Sequence, residues 1–264
     1  MENKVLEDDK KLLVSEDDFL SGRLKIMQPK HGFRAGIDSV LLAAAVNINT
    51  QEILELGAGS GVAACCALAD IPLANATLLE RDVDVLDLAQ INLQKNGFLE
   101  RTKTIILDIT QKGSVRQQAG LRSDFYTSII ANPPFFDAHS GTVSKQAGRA
   151  GSRHMPSEDL DKWVKSAASS AAAGGEVLFI HAISALPKLL ASFEARFGNI
   201  SILPISPREG KNASRMLIRG IKGSRAPFAL LPPLVLHGKA GNNYTSQAEA
   251  IFRGKSRISW NIAP

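Results

Sequence analysis

The chain has 264 residues, 44% of them hydrophobic and 22% charged, with a formal net charge of +5 at pH 7. That is globular composition, and no apolar run approaches the roughly 20 residues a membrane-spanning helix needs. The only cysteines, Cys65 and Cys66, are adjacent, which argues against a disulfide framework or a bound metal and for a reducing, cytoplasmic compartment.

Residues 1–18 are charged throughout and lack the apolar stretch of a secretory signal; they read as a flexible leader. In residues 19–29, Leu24, Ile26 and Gln28 alternate with Arg23, Lys25 and Met27, as in an edge strand or hairpin ended by Pro29. Residues 30–38 then run into an apolar helix, for which Asp38 or Ser39 is the candidate N-cap. Arg34 and His31 belong either to a solvated loop or to a lid beside a ligand site.

Residues 52–56 form an apolar strand that enters Gly57-Ala58-Gly59-Ser60-Gly61 and then a small-residue helix. Strand, tight glycine turn and helix bring free backbone N–H groups to a ligand. The spacing is G-x-G-x-G, not the G-x-G-x-x-G of dinucleotide binders. A second strand, residues 76–79, ends in Glu80, about 20 residues after Gly61, where Rossmann-like folds hold ribose hydroxyls. A helix over 83–96 stops at Gly97. A third strand, 103–107, closes on Asp108.

The fourth strand, 127–131, closes on Asn132-Pro133-Pro134-Phe135. Alone, this tetrapeptide reads as a turn. The prolines also remove backbone donors and leave carbonyls free. The Asn132 amide oxygen adds an acceptor, and Phe135 a flat apolar face. Such a group can hold a planar NH2 by its two hydrogens. Four successive strands ending in glycine or polar groups favour a ligand site at their carboxyl ends.

Residues 136–156 form a long loop with Lys145, Arg149, Arg153 and His154, read as a substrate loop because loops this long are seldom idle. A helix over 157–173, broken at Gly174-Gly175, precedes a strand at 176–181. His181 there suits packing or hydrogen bonding better than catalysis. A helix at 186–197 and an antiparallel pair, 199–205 and 215–221, complete the pattern. Arg208, Lys211, Arg253 and Lys255 are further basic candidates for phosphate contacts. Residues 255–264 read as a mobile basic tail.

Glu55-Leu56-Gly57-Ala58-Gly59-Ser60-Gly61 resembles motif I of class I S-adenosylmethionine-dependent methyltransferases, and Asn132-Pro133-Pro134-Phe135 resembles their amino-methylating [DN]-P-P-[FYW] motif. Residues 19–43 and 230–252 are similar to the leader and late segments of the bacterial tRNA1(Val) adenine-N(6)-methyltransferase family. The resemblance covers most of residues 19–254. It implies one Rossmann-like α/β domain over 19–254, with an N-terminal hairpin-like extension at 19–37. The sheet would be mostly parallel and seven-stranded, with an antiparallel final strand. It implies S-adenosyl-L-methionine as cofactor, held by Glu55, Gly57, Ala58, Gly59, Glu80, Asp108 and Asn132, with Arg34 and Asp38 as further contacts. Asn132, Pro133, Pro134 and Phe135 would be catalytic. The implied substrate is an adenine amine in RNA, most simply an anticodon-loop adenine of tRNA. Ribosomal RNA and a protein glutamine remain open alternatives, because glutamine also presents a planar NH2.

Overall fold

The computed structural model describes residues 13–32, 34–134 and 159–260. Phe33, Phe135 and the expected substrate loop with its four basic residues lie outside them. In chain order come β1 (Val14–Phe19), β2 (Leu24–Pro29), α1 (Ile37–Ala44), β3 (Glu52–Leu56), α2 (Val62–Asp70), β4 (Asn75–Glu80), α3 (Val83–Lys95), β5 (Thr102–Ile106), α4 (Gly113–Gln118), β6 (Tyr126–Ala131) and α5 (Asp159–Ser170). The chain continues through β7 (Ala171–Ala182), α6 (Leu186–Glu194), β8 (Phe197–Arg208), β9 (Arg215–Lys222), β10 (Ala229–Leu230), β11 (Leu234–His237) and α7 (Ser246–Phe252).

Seven strands lie in the order β5-β4-β3-β6-β7-β9-β8. All are parallel except β9, which runs antiparallel to both β7 and β8. The expected Rossmann-like sheet is therefore present, widened to nine strands by the short β10 and β11, both parallel to β8. Strand residues alternate between two apolar layers. Ile53 and Ile130 face α1, α2, α3 and α7, whereas Leu54, Leu56 and Ala131 face α5 and α6.

Several boundaries differ from the sequence reading. Residues 14–18 of the expected flexible leader form β1, paired in register with β2. Gly174 and Gly175 do not end a helix but sit within β7, where the β6–β7 register shifts between Tyr126 and Ser128. A side chain on Gly175 would meet the Ala172 and Tyr126 carbonyls at 2.9 Å, so glycine permits the bulge. Helix α1 is preceded by Gly36 with no side-chain cap; Asp38 lies in its first turn and Ser39 is buried. The basic tail is packed as far as Trp260. The Trp260 indole donates to the Ala45 carbonyl at 2.8 Å, and the Arg257 guanidinium binds the Ala43 and Val46 carbonyls and Asp70. Those groups are at the C-terminal ends of α1 and α2, below the amino ends of the strands.

The hairpin is docked by two asparagines one turn apart, Asn92 on α3 and Asn96 at its C-terminal cap. Asn92 accepts from the Met27 N–H at 2.7 Å and donates to its carbonyl at 2.9 Å; Asn96 does the same for Lys25, at 3.0 and 2.9 Å. Two side-chain amides thus satisfy alternate residues of a strand edge, as a neighbouring strand would. Asn92 also donates to the Ser60 carbonyl at 2.9 Å, which ties the hairpin to the glycine turn.

That turn joins β3 to α2. Gly57, Gly59 and Gly61 have φ of 63, 57 and 77°, a region that L side chains adopt at a cost. Helix α2 has no side-chain cap of its own at Gly61. Glu55 supplies one from beneath: its Oε2 accepts from the Ala64 N–H at 2.9 Å. Burial, opposed by that hydrogen bond and aided by the charge of Glu80, raises the Glu55 carboxyl to about 8. An unfolded glutamate titrates near 4.3. The protonated form therefore stabilises the fold fully below about pH 4, and that contribution is lost as pH rises toward 8. Glu55→Gln keeps an acceptor for Ala64 without a charge. Chemical denaturation between pH 5 and 8 should show wild type losing stability relative to this variant, by up to ~1.4 kcal/mol per pH unit. A pH-independent difference would refute the assignment.

Candidate active site

The parallel strands bring Glu55, Gly57, Glu80, Asp108 and Asn132 to one edge of the sheet. Helix α1 descends from that edge, so Asp38 is there too, and the antiparallel β9 adds its first residue, Arg215.

The three glycines of the turn have different neighbours. A Cβ on Gly57 would come within 2.5 Å of the Trp163 ring, and one on Gly61 within 3.1 Å of Leu78 and 3.3 Å of Ala89. Packing leaves no room at Gly57 and little at Gly61. At Gly59 nothing lies within 4 Å. The middle glycine therefore faces open space, and its side of the turn is free for a ligand. The Ala58 N–H is used by the Leu79 carbonyl at 2.8 Å, which fastens the turn to β4. Trp163, on α5, is distant in sequence from the turn it packs against, and no local pattern announces it.

The acids have distinct environments. Glu80 is 2% exposed, and its carboxylate accepts from the N–H groups of Gly59, Arg81 and Asp82 at 3.0, 2.9 and 3.1 Å. It holds the glycine turn against the end of β4 and is preorganised for further donors. Asp108 is more open. Partial burial acts to raise its pKa, but the Thr110 N–H and hydroxyl and the Arg81 guanidinium outweigh it and leave the carboxyl below its ordinary value. Glu55, by contrast, is turned into the protein toward α2. Its position under the turn makes it a support of the site more than a surface for a ligand.

Pro133 is buried, and Asn132 and Pro134 are half-buried. The pairing of Ala131 with Phe179 puts Pro133 level with His181 on β7. His181 is 3% exposed. Burial lowers its pKa to about 4, partly offset by the neighbouring backbone of Ala182 and Pro134. The ring is neutral at neutral pH and packs beside the motif, in agreement with the sequence reading.

Asp38 Oδ2 accepts from Arg215 Nε at 2.8 Å, while Asp38 Oδ1 is buried without a hydrogen-bond partner. Arg34 is committed elsewhere: it binds Asp17, Ser15 Oγ and the Pro29 carbonyl. The buried Gln28 anchors the same segment through Asp17 and both backbone groups of Ala35. Arg34 thus fixes the hairpin to the segment that leads into α1. Arg208 is likewise occupied by the Gly238 and Gly241 carbonyls and Asn242, and Arg253 pairs with Glu249. Lys211 is exposed at the carboxyl edge. Among the described residues no His, Cys, Asp and Glu cluster could hold a metal ion, and no helix is long and apolar enough to cross a membrane.

Comparison with known proteins agrees with this geometry. The family model for the methyltransferase small domain matches residues 34–151. The tRNA1(Val) (adenine(37)-N6)-methyltransferase of Shewanella sp. strain W3-18-1 is 28% identical over 192 residues, 70% of this chain and 76% of the relative. The Vibrio campbellii protein of the same name is 31% identical over 129 residues, about half of each chain. The crystal structure of a "predicted O-methyltransferase" from Agrobacterium tumefaciens superposes with a TM-score of 0.72 at 27% identity, covering 85% of this chain and all of that one. A Thermotoga maritima S-adenosylmethionine-dependent O-methyltransferase shares the fold, with a TM-score of 0.52 at 15% identity. The open side of Gly59 and the orphaned buried oxygen of Asp38 fit a bound nucleoside carrying an amino-acid end. With this sheet order, this glycine turn and these relatives, the chain is a class I S-adenosylmethionine-dependent methyltransferase that resembles the tRNA1(Val) adenine-N(6)-methyltransferases.

Proposed function

We infer that the chain methylates the exocyclic amine of an adenine in RNA, with tRNA the preferred substrate. The observation that carries this reading is Asn132-Pro133-Pro134 at the end of β6, next in the sheet to the glycine turn. S-adenosylmethionine supplies an electrophilic methyl group with its own leaving group. The protein's task is to bind, orient and exclude water. Glu80 would hold the ribose hydroxyls, Asp108 the adenine, the Gly57–Ala58–Gly59 backbone the turn-facing side and Asp38 the amino-acid end of the cofactor. Asn132 Oδ1 and the Pro133 carbonyl would accept the two N–H bonds of the target amine. That weakens delocalisation of the nitrogen lone pair and turns it toward the methyl group. Phe135 would stack on the base, a contact worth about 1–3 kcal/mol.

A hydroxyl acceptor, the substrate class in the name of the Agrobacterium neighbour, calls for a general base. His181, neutral and buried beside Pro134, is poorly placed for one. A protein glutamine would use the same acceptors. RNA is favoured by the net charge of +5 and by the names of the relatives. Total RNA from a strain lacking this protein should gain label from methyl-labelled cofactor, at an adenine identifiable by mass spectrometry. Label on a release-factor protein, with RNA unlabelled, would establish the glutamine reading instead.

Two variants test the residue roles. Asn132→Ala should lower kcat by roughly 100-fold or more, comparable to loss of one preorganised polar contact in other enzymes. Normal turnover would remove Asn132 from the reaction. Gly59→Ala and Gly61→Ala should separate binding from folding. The first places a methyl in open space and should weaken S-adenosylhomocysteine binding by about tenfold or more, at a stability cost of ~1–2 kcal/mol from the positive φ. The second adds a clash with Leu78 and Ala89 and should destabilise further, by ~1–3 kcal/mol beyond the φ cost. Equal melting losses in the two variants would contradict this division.

A further inference from the structure

The Asp38–Arg215 pair has unused capacity on both partners. Asp38 Oδ2 takes the Arg215 Nε–H at 2.8 Å, but Asp38 Oδ1 is buried with no partner. Leaving a buried acceptor unpaired is destabilising, and such groups are uncommon enough to need a reason. On the other partner, the described residues place no hydrogen bond on the Arg215 Nη groups, and the side chain is 35% exposed. Its sheet position is fixed by pairing with Ala182 of β7 and Ile205 of β8. The alternation of β9 puts Arg215 on the same face as Leu217, against the α1 layer. The corresponding alternation of β6 puts Asn132 on the side of Ile130, in the same layer. Burial of Asp38 acts to raise its pKa, and the Arg215 charge and hydrogen bond oppose the rise.

Nearby acids are less suited to receive a cation. Glu55 is raised to about 8 and caps α2, and Glu80 already accepts three backbone N–H groups. A ligand end bearing both an ammonium and a carboxylate would complement what Asp38 and Arg215 leave open: an acceptor beside planar donors.

We propose that Asp38 and Arg215 form one receptor for the amino-acid end of the methyl donor, Asp38 Oδ1 taking its ammonium and the Arg215 Nη groups its carboxylate. This rests on the reading of Asp38 as a cofactor contact and adds Arg215, which the sequence did not single out. Calorimetric titration of the whole protein with three ligands tests it: S-adenosylhomocysteine, its decarboxylated form, and 5′-methylthioadenosine, which lacks the amino-acid end. Asp38→Asn should weaken both amine-bearing ligands by about tenfold or more. Arg215→Gln should weaken S-adenosylhomocysteine by about tenfold or more and the decarboxylated form distinctly less. Methylthioadenosine should bind both variants within twofold of wild type. Arg215→Lys, which keeps a cation, should recover part of the loss and guards against a folding defect in the glutamine variant. If Asp38→Asn weakens the amine-bearing ligands while Arg215→Gln leaves all three unchanged, the role of Arg215 is wrong and the Asp38 contact stands. If Asp38→Asn binds all three normally, the Asp38 contact falls and the receptor with it. An equal loss on all three ligands, methylthioadenosine included, would assign the pair to structure alone and overturn the proposal.

Discussion

The close approach of β3, the glycine turn and α2 is the constraint from which the rest of the site follows. The chain reverses there within five residues while lying against Trp163 on one face of the sheet and Leu78 and Ala89 on the other. At Gly57 packing and positive φ both exclude a side chain, and at Gly61 the positive φ is joined by tight contacts. Gly59 has the same φ requirement with no packing reason beside it. The turn is thus pinned at its two ends and open in the middle, and that leaves one direction for a ligand. Backbone N–H groups do much of the pinning. Ala58 is used by Leu79, Gly59 by Glu80 and Ala64 by Glu55.

Two of these fastenings are carboxylates, and the surroundings give the acids different properties. Glu55, under the helix, is favoured in its protonated form by burial. Asp108, at the rim, is favoured in its charged form by Thr110 and Arg81. Asp38 is raised above its ordinary value, because burial outweighs the opposing charge and hydrogen bond of Arg215. A row of acids that looks uniform in sequence therefore divides into a structural group beneath the turn and more open groups around it. Low dielectric makes the difference large for buried groups.

The architecture was legible because short apolar strands, tight turns and small-residue helices declare themselves locally. The positions of Gly57, Gly59, Glu80, Asp108 and Asn132 at successive strand ends needed only strand boundaries and the right-handed crossover rule. What escaped were features made by residues remote in sequence. Nothing in the local sequence sets Asn92 and Asn96 apart, yet they supply the edge on which β2 docks. Arg257 and Trp260 read as a mobile tail because their partners, backbone carbonyls at the ends of α1 and α2, have no sequence signature. Gly174 and Gly175 read as a helix stop, and the bulge they permit depends on register with β6. The pairing of Arg34 with Asp17, across the hairpin on β1, likewise had no local signal.

The hairpin also bears on how the site is held. Asn92 joins Met27 of β2 and Ser60 of the glycine turn through one fully buried side chain. Its amide meets both backbone groups of Met27 and one carbonyl of the turn, so neither element can shift without stranding polar groups away from water. Arg34 and Gln28 then bind the connection between hairpin and α1 to Asp17. Asp38 starts the descent of α1 immediately after that connection. The N-terminal extension is therefore a brace more than a lid. It fixes the glycine turn on one side and the first turn of α1 on the other.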